Sequence, residues 1–144
     1  MYIISACLCG IDCKYSGGNN YNEKIERLVK EGKAVLVCPE QLGGLKTPRD
    51  PAEQRGEGLV ITDKGVDVTK EYVKGAEETL KIAKMCGATK AILKSKSPSC
   101  GYGKIYDGNF NRTLIDGMGV AAKLLSENGI EVISSDDLET IDKL

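Results

Sequence analysis

The stretch Ala34-Val-Leu-Val-Cys-Pro-Glu-Gln-Leu-Gly-Gly-Leu45 decides the fold of this chain. Its first half is a short apolar run with β-branched valines, which is typical of a strand buried in a parallel sheet. We expect the strand to end at Pro39, because proline has no N–H for the ladder and fixes φ. Cys38 then lies at the strand end and Glu40 just beyond it. A thiol and a carboxylate therefore lie at the edge where open α/β sheets bind ligands.

Segments with strand and helix patterns alternate along the rest of the chain. Strands are predicted at residues 2–7, 34–38, 89–94 and 130–133, and helices at 23–32, 70–86, 117–128 and after Ser135 or Asp136. Asn20 or Asn22 is expected to cap the first helix, and Thr69 the second. The alternation predicts a single α/β domain over residues 1–144, a three-layer α/β/α sandwich with a mostly parallel sheet of Rossmann or flavodoxin type.

A small hairpin is predicted beside the main sheet. Residues 59–62 and 66–69 are strand-like and flank the turn signal Asp63-Lys-Gly65. The segment 41–58 before it carries glycines, prolines and scattered charge. A loop of that length in a compact domain is usually functional or disordered.

Composition places the chain among ordinary soluble globular proteins. It has 144 residues, 41% of them hydrophobic and 28% charged, with a net charge of −1. This charge gives no overall attraction to membranes or nucleic acids. No run approaches the roughly 18 apolar residues of a membrane helix, and the first residues lack a signal-peptide pattern. We expect a cytoplasmic protein.

Six cysteines and no histidine are the informative part of the composition. Without a secretory signal, clustered cysteines indicate metal binding or thiol chemistry more often than disulfides. The lack of histidine excludes Ser-His-Asp triads, Cys/His nucleophile pairs and mixed Cys/His zinc sites. A general base must therefore be a carboxylate, a lysine, a tyrosine or a thiolate.

Three cysteines follow predicted strands of the sheet at equivalent positions. Cys7, Cys38 and Cys100 each lie at or just past a strand end, and the latter two have a proline within two residues. The ends of parallel strands lie at one edge, so these thiols are predicted to converge. A buried cysteine is also a common small hydrophobic residue, but three at equivalent strand ends favour a site.

The other cysteines are less clearly placed. Cys86 lies late in a helix and is expected to pack in the core. Cys9 and Cys13 lie in a glycine-punctuated loop, from which Cys13 is the better candidate to reach the sheet edge. Cys₄ zinc sites usually combine two close cysteine pairs, so single, widely spaced ligands fit an iron–sulfur cluster better.

Each of the polar residues near the same edge has two possible roles. Glu40 is either a proton-handling group or a surface glutamate. Ser97 and Ser99 surround Pro98, where turn chemistry is an equally good explanation. Arg49 and Arg55 bind an anion or form surface pairs, and the surface is favoured for Arg55.

Long motifs of the chain resemble one bacterial family. They are Ser5-Ala-Cys-Leu-Cys-Gly10, Cys13-Lys-Tyr-Ser-Gly17, Cys38-Pro-Glu-Gln-Leu-Gly-Gly-Leu45 with Pro48-Arg49 and Pro51, Lys94-Ser-Lys-Ser-Pro-Ser-Cys-Gly101, and Ile105-Tyr-Asp-Gly108. The chain is identified by them as a member of the thiouracil desulfidase family, formerly domain of unknown function 523. The resemblance covers nearly the whole chain.

The resemblance implies a cofactor and a reaction. Similar desulfidases use a 4Fe–4S cluster that is held by three cysteines and has one iron open to the substrate's sulfur. Carried onto this chain, the ligands are Cys7, Cys38 and Cys100. Glu40 then handles protons, and Ser97 positions substrate or water. The implied activity is non-redox, hydrolytic removal of sulfur from a 2-thiouracil-like nucleobase or similar small thio-compound.

This sequence also differs from the family pattern. It has Cys9 where an apolar residue is typical, and Lys14 and Ser16 where arginine and aspartate are typical. These positions are expected to line the pocket, so the differences bear on the substrate.

Two other classes of function stay open on the residues alone. One is a non-catalytic module that binds an iron–sulfur cluster or zinc, and the other is a thiol-redox protein that uses Cys9 and Cys13. Glu40 and the serines favour the enzyme, because a carrier needs no general base. The expected partner is a small thiolated substrate, not a membrane. Nucleic acid is disfavoured by the charge, although a thiolated RNA and the oligomeric state stay open.

Overall fold

The computed structural model describes residues 1–56 and 58–144, which form an α/β fold. Its strands are β1 Tyr2–Ser5, β2 Ala34–Val37, β3 Ala52–Gln54, β4 Val60–Thr62, β5 Lys90–Leu93, β6 Tyr102–Tyr106, β7 Leu114–Met118 and β8 Glu131–Ser134. Its α-helices are α1 Glu23–Lys30, α2 Pro39–Leu42, α3 Thr69–Met85, α4 Val120–Glu127 and α5 Leu138–Asp142. The central sheet is fully parallel, in the order β2–β1–β5–β8. No helix of this described part is long and apolar enough to cross a membrane.

Both faces of the central sheet are covered by helices. Successive side chains of a strand point to opposite faces, and in β1 both Ile3 and Ile4 are fully buried. Ile3 packs in one core cluster with Leu125 of α4, and Ile4 in another with Ile25 of α1 and Ile141 of α5. This arrangement confirms the predicted three-layer sandwich and its parallel sheet.

The strand ends lie close to where the sequence places them. β2 ends at Val37, and Cys38 adopts an extended conformation as the N-cap of α2. Pro39 begins that helix, a position where its missing N–H and fixed φ are favourable. β1 is shorter than predicted, because Ala6–Cys9 form a 3₁₀ turn. The one-turn helix α2 was not predicted.

The predicted hairpin of residues 59–62 with 66–69 forms in part. Ile61 makes an antiparallel bridge with Asp67, and the Val68 N–H donates to the Val60 carbonyl oxygen at 2.9 Å, although residues 66–69 do not form a full strand. β4 also pairs antiparallel with β3, which the sequence did not predict, so Ala52 lies opposite Thr62. The turn itself forms, with the Thr62 N–H donating to the Val66 carbonyl oxygen at 2.9 Å. The chain enters α3 at Thr69, which leaves too few residues after the turn for a full strand.

Helix caps show one confirmed prediction and two corrections. The Asn22 side chain accepts from the Lys24 N–H, so it is the cap of α1. Thr69 is the first residue of α3 and not its cap; its hydroxyl accepts from the Val60 N–H. α5 is capped by Asp137, one residue after the later of the two predicted caps, Ser135 and Asp136.

A second antiparallel pair, β6 with β7, was also not predicted as strands. Its register places Ile105 opposite Ile115 across the pair. The sequence showed only the turn signal Tyr106-Asp-Gly108 between them. The exposed, glycine-containing segments on either side lack the apolar alternation that identifies a strand.

Helices α2 and α3 approach each other through two glycines. A Cβ atom at Gly43 would lie 1.9 Å from the Glu71 carbonyl oxygen, and one at Gly75 would lie 1.9 Å from the Pro39 carbonyl oxygen. Any larger residue must push the backbones apart. Because Pro39 directly precedes Glu40, this contact fixes the start of α2.

Gly75→Ala is expected to destabilise the protein. Alanine normally stabilises a helix interior relative to glycine, but here its methyl group would collide with the Pro39 backbone. Overpacking of this kind costs roughly 1–3 kcal/mol, which lowers the midpoint of thermal unfolding. Gly18→Ala is the control, because its new Cβ would meet only side-chain atoms at ordinary contact distances, Lys14 Cε at 3.4 Å and Ser16 Oγ at 3.7 Å. Equal midpoints for the two variants would contradict the close packing.

Candidate active site

One cavity of about 550 Å³ lies at the carboxyl edge of the central sheet. Its lining includes four cysteines, the predicted carboxylate and the predicted serine: Cys7, Cys13, Cys38, Cys100, Glu40 and Ser97. The structure therefore brings together every residue predicted for the site, although they lie up to 93 positions apart in the chain (Cys7 to Cys100).

The three strand-end thiols reach the cavity from separate elements. Cys7 follows β1 within the 3₁₀ turn, and Cys38 lies between β2 and α2. Cys100 lies after β5, in the turn that precedes β6. Because β1 is paired with both β2 and β5, their carboxyl ends are neighbours. The predicted convergence of Cys7, Cys38 and Cys100 at this edge thus has its structural basis in the strand order.

Cys13 completes the group of thiols. It is 1% exposed, and its thiol is in hydrogen-bond contact with the thiols of Cys38 and Cys7. This contact lowers the pKa of Cys38 and of Cys7, and raises the pKa of Cys13. Cys13 carries one S–H proton, so it can donate to only one of the two neighbours at a time. The loop thus places the Cys13 thiol beside two of the strand-end thiols.

Cys100 has a different environment from the other thiols. Burial raises the pKa of Cys100 to about 12, against the opposing hydrogen bonds of Ser5 and Ser99. The Ser5 hydroxyl, at the end of β1, donates to the Cys100 sulfur at 3.3 Å and accepts from the Lys94 N–H at 2.9 Å. Ser5 thereby connects the ends of two neighbouring strands to the thiol. As a free thiol Cys100 stays protonated until a metal displaces its proton.

The Glu40 carboxylate is held by three donors. Its Oε1 accepts from Arg49 Nε at 2.9 Å and from the Tyr72 hydroxyl at 2.8 Å. Its Oε2 accepts from the Ser99 hydroxyl at 2.9 Å. Both partners of the ion pair are largely buried, with side-chain exposures of 14% for Glu40 and 7% for Arg49. Glu40 is therefore a fixed, buried carboxylate beside the thiols, and the surface-glutamate reading is wrong.

The serines on either side of Pro98 both stabilise a turn and line the cavity. Ser97 Oγ accepts from the N–H groups of Ser99 and Cys100 at 3.2 and 3.1 Å, which is the turn chemistry expected of it. The Ser97 and Ser99 hydroxyls lie 3.1 Å apart. Ser99 therefore connects Ser97, which lines the cavity, with the Glu40 carboxylate.

Sequence reasoning missed three residues of this network. The sequence left Arg49 open between an anion site and a surface pair, and Ser99 open between the site and a turn, whereas Tyr72 lies in the predicted helix 70–86 without any indicated role. A weak signal existed for Arg49, which lies within the quoted family motif. For Tyr72 the sequence offers only a tyrosine among apolar helix positions, where a hydroxyl needs a partner.

Other candidate residues lie elsewhere. Cys9 does not line the cavity, and burial raises its pKa to about 11. Cys86 packs against the core cluster that contains Ile3, as predicted. Arg55 donates to the Gly108 carbonyl oxygen at 3.3 Å. Of the three positions that differ from the family pattern, Lys14 does line the cavity, as expected, whereas the expectation was wrong for Cys9 and Ser16.

The donor set fits an iron–sulfur cluster. Cysteine thiolates from separate elements are the ligands that such clusters use, and the cavity offers four thiols around one space. Within residues 1–56 and 58–144, no three Cys, Asp or Glu side chains form a group that could hold a single metal ion.

Comparison with known proteins identifies relatives over the full length. The family described as 2-thiouracil desulfurase matches residues 2–137. The uncharacterized protein YbbK of Bacillus subtilis (strain 168) is 47% identical over 150 residues, which cover 98% of this chain and 99% of YbbK. A solved structure of the [4Fe–4S]-dependent thiouracil desulfidase TudS is 43% identical, with a TM-score of 0.91 over 97% of this chain and 93% of TudS. This chain belongs to the 2-thiouracil desulfurase family.

Proposed function

We propose that this protein is a 4Fe–4S-dependent desulfidase that hydrolyses the carbon–sulfur bond of a thiolated nucleobase resembling 2-thiouracil, or of a similar small thio-compound. The family and the solved relative TudS support the activity and the cofactor. The ligands in this proposal are Cys7, Cys38 and Cys100, the proton-handling group is Glu40, and Ser97 positions substrate or water.

A single observation carries the catalytic part of the proposal. Glu40 lies in the cavity of thiols as a carboxylate with three hydrogen-bond donors on it. A carrier of clusters or zinc has no use for a buried base beside its ligands, and burying the charge is costly without such partners. The alternative of a redox pair formed by Cys9 and Cys13 is disfavoured, because Cys13 lines the cavity and Cys9 does not.

The choice of three ligands follows from the arrangement of the thiols. Cys13 is in hydrogen-bond contact with both Cys7 and Cys38, whereas Cys100 approaches the cavity from the side of Ser5 and Ser99. Cys7, Cys38 and Cys100 each follow one of three neighbouring parallel strands, whereas Cys13 lies in the loop after the 3₁₀ turn. This placement and the family resemblance support the three strand-end thiols as ligands, with Cys13 in a supporting position beside them.

The reaction is a hydrolysis without electron transfer. When bound, the cluster supplies an iron that takes the soft sulfur of the substrate and polarises the carbon bearing it. Glu40 accepts a proton from the water that attacks this carbon. The remaining proton of that water passes to the sulfur as the C–S bond breaks, so the water oxygen becomes the carbonyl oxygen of the product and sulfur leaves as hydrosulfide. Glu40 then releases its proton to solvent, which restores the carboxylate. Ser97, at the cavity wall, holds the substrate or the water in reach of Glu40.

The ligand assignment predicts which cysteines the cluster requires. Cys7→Ser, Cys38→Ser and Cys100→Ser are each expected to abolish the broad brown absorbance of anaerobically reconstituted protein, because a hydroxyl is a poor substitute for a thiolate ligand. Cys86→Ser is the matched control and is expected to keep it. A Cys38→Ser variant with its full complement of iron and sulfide would show that the assignment is wrong.

The role of Glu40 predicts a separation of cluster binding from turnover. Glu40→Gln keeps the size and polarity of the side chain but cannot accept a proton at neutral pH. Turnover of 2-thiouracil is expected to fall at least ~10²-fold, the contribution of a positioned general base, with iron and sulfide content unchanged. Full turnover in this variant would remove Glu40 from the mechanism.

Replacement of Cys13 distinguishes a desulfidase from a non-catalytic cluster carrier. A fourth thiolate would leave no vacant iron for substrate sulfur, so Cys13 is expected not to be a ligand in the active form. Cys13→Ala should therefore retain four irons per chain, and its absorption spectrum should still change when sulfide is added. Loss of the cluster from Cys13→Ala would indicate ligation by four cysteines and favour the carrier.

A further inference from the structure

The two oxygens of the Glu40 carboxylate have unequal partners. Within residues 1–56 and 58–144, Oε1 accepts from Arg49 Nε at 2.9 Å and from the Tyr72 hydroxyl at 2.8 Å, whereas the single donor to Oε2 is the Ser99 hydroxyl. An ionised carboxylate offers about four acceptor sites, two on each oxygen. The described residues therefore fill both sites of Oε1 and one of the two sites of Oε2.

We infer that Tyr72 is a positioning residue for the desulfidase reaction, which, together with Arg49, occupies Oε1 and leaves Oε2 of Glu40 as the atom that takes the proton. This inference rests on the proposed function, since it acts through Glu40. Ser99 lies on the same oxygen, between Glu40 and the cavity-lining Ser97. The proton-accepting atom thus lies on the side of the carboxylate that faces Ser97 and Ser99.

The packing of Tyr72 suits a positioning role. Its side chain belongs to a buried cluster with Val60 and Val68 beneath β4, and the residue is 2% exposed. The backbone contact of Gly75 with Pro39 holds its helix against the start of α2. The ring position is therefore set by core packing, while the residue also lines the cavity that holds Glu40.

The Tyr72 hydroxyl remains a donor under working conditions. Burial, and then the charge of Glu40, raise the pKa of Tyr72 above its ordinary value. The phenol is neutral across the physiological range, so it does not itself exchange a proton with Glu40. Its contribution is a fixed hydrogen bond.

Tyr72 is a better probe of this arrangement than Arg49. Arg49 also donates to the Cys13 carbonyl oxygen at 2.9 Å and to the Thr47 hydroxyl at 2.8 Å. Its replacement would disturb the loop that carries a cavity thiol. Tyr72→Phe removes one hydroxyl and keeps the ring that packs in the core.

The test compares Tyr72→Phe with a matched control in the cluster-loaded enzyme. Tyr21→Phe removes a hydrogen bond of the same kind and length, from a tyrosine hydroxyl to Glu26 Oε1 at 2.8 Å, at an exposed position outside the cavity. With 2-thiouracil as substrate, Tyr72→Phe is expected to lower kcat roughly 10-fold or more, as for a lost hydrogen bond to a charged group. KM and the iron and sulfide content should stay unchanged, and Tyr21→Phe should match the parent protein.

A double-mutant cycle shows whether Tyr72 acts through Glu40. In the Glu40→Gln background, Tyr72→Phe is expected to cause no further loss of kcat, because the group that it positions is already gone. An equal fractional loss in both backgrounds would overturn the inference. So would an unchanged kcat of Tyr72→Phe, or a loss of kcat that merely follows a loss of cluster.

A spectroscopic readout is independent of turnover. The ultraviolet resonance Raman bands of tyrosine respond to the acceptor of the phenol hydrogen bond. Glu40→Gln should shift a tyrosine signal in the holoprotein, and this shift should disappear in the Tyr72→Phe background. Persistence of the shift without Tyr72 would contradict the assigned contact.

The results also separate this inference from the proposed function. If Glu40→Gln loses turnover while Tyr72→Phe does not, the role of Glu40 stands and that of Tyr72 is rejected. If Glu40→Gln keeps full turnover with a full cluster, the proposed mechanism itself fails, and the positioning role is rejected with it.

Discussion

The close approach of α2 to α3 is the constraint on which the candidate site depends. Gly43 and Gly75 allow the two backbones to meet, and a Cβ atom at either position would lie 1.9 Å from a carbonyl oxygen of the other helix. α2 begins directly after β2, so the same contact fixes Cys38 relative to Glu40. Protein interiors are too densely packed to absorb such a collision without movement. The thiol and the carboxylate are thus parts of one rigid unit.

Charge balance explains why Arg49 accompanies Glu40 in the interior. Taking an ion pair out of water is favourable only when its remaining hydrogen-bonding groups are satisfied. Arg49 meets this condition, since its terminal nitrogens donate to the Thr47 hydroxyl and the Cys13 carbonyl oxygen. Its charge also lowers the pKa of the nearby Cys38, while that of Glu40 opposes it. A cavity whose thiols ionise on metal binding needs this cation more than an apolar site would.

Sequence patterns could predict the parts of the site that depend on local chemistry. Short apolar runs indicated the strands, a proline marked the end of β2, and the parallel strand order then accounts for Cys7, Cys38 and Cys100 lying at one edge. Contacts between distant segments have no such local signature. The Tyr72–Glu40 bond joins residues 32 positions apart and the Ser99–Glu40 bond joins residues 59 apart. The pairing of β3 with β4 was missed for a different reason, because β3 is only three residues long and the turn signal after β4 indicated the partner on its other side.

Arg49 also couples the position of the loop that carries Cys13 to the position of the Glu40 carboxylate. It donates to Glu40 through Nε and to the Cys13 carbonyl oxygen through Nη2. That same carbonyl oxygen accepts from the Cys38 thiol at 3.7 Å. A displacement of the loop would therefore disturb the hydrogen bonds of both Cys38, a candidate ligand, and the Glu40 carboxylate. Since the partners of Glu40 come from the loop, α3 and the serine turn, the carboxylate has its orientation before substrate arrives, which is the condition under which a positioned base is effective.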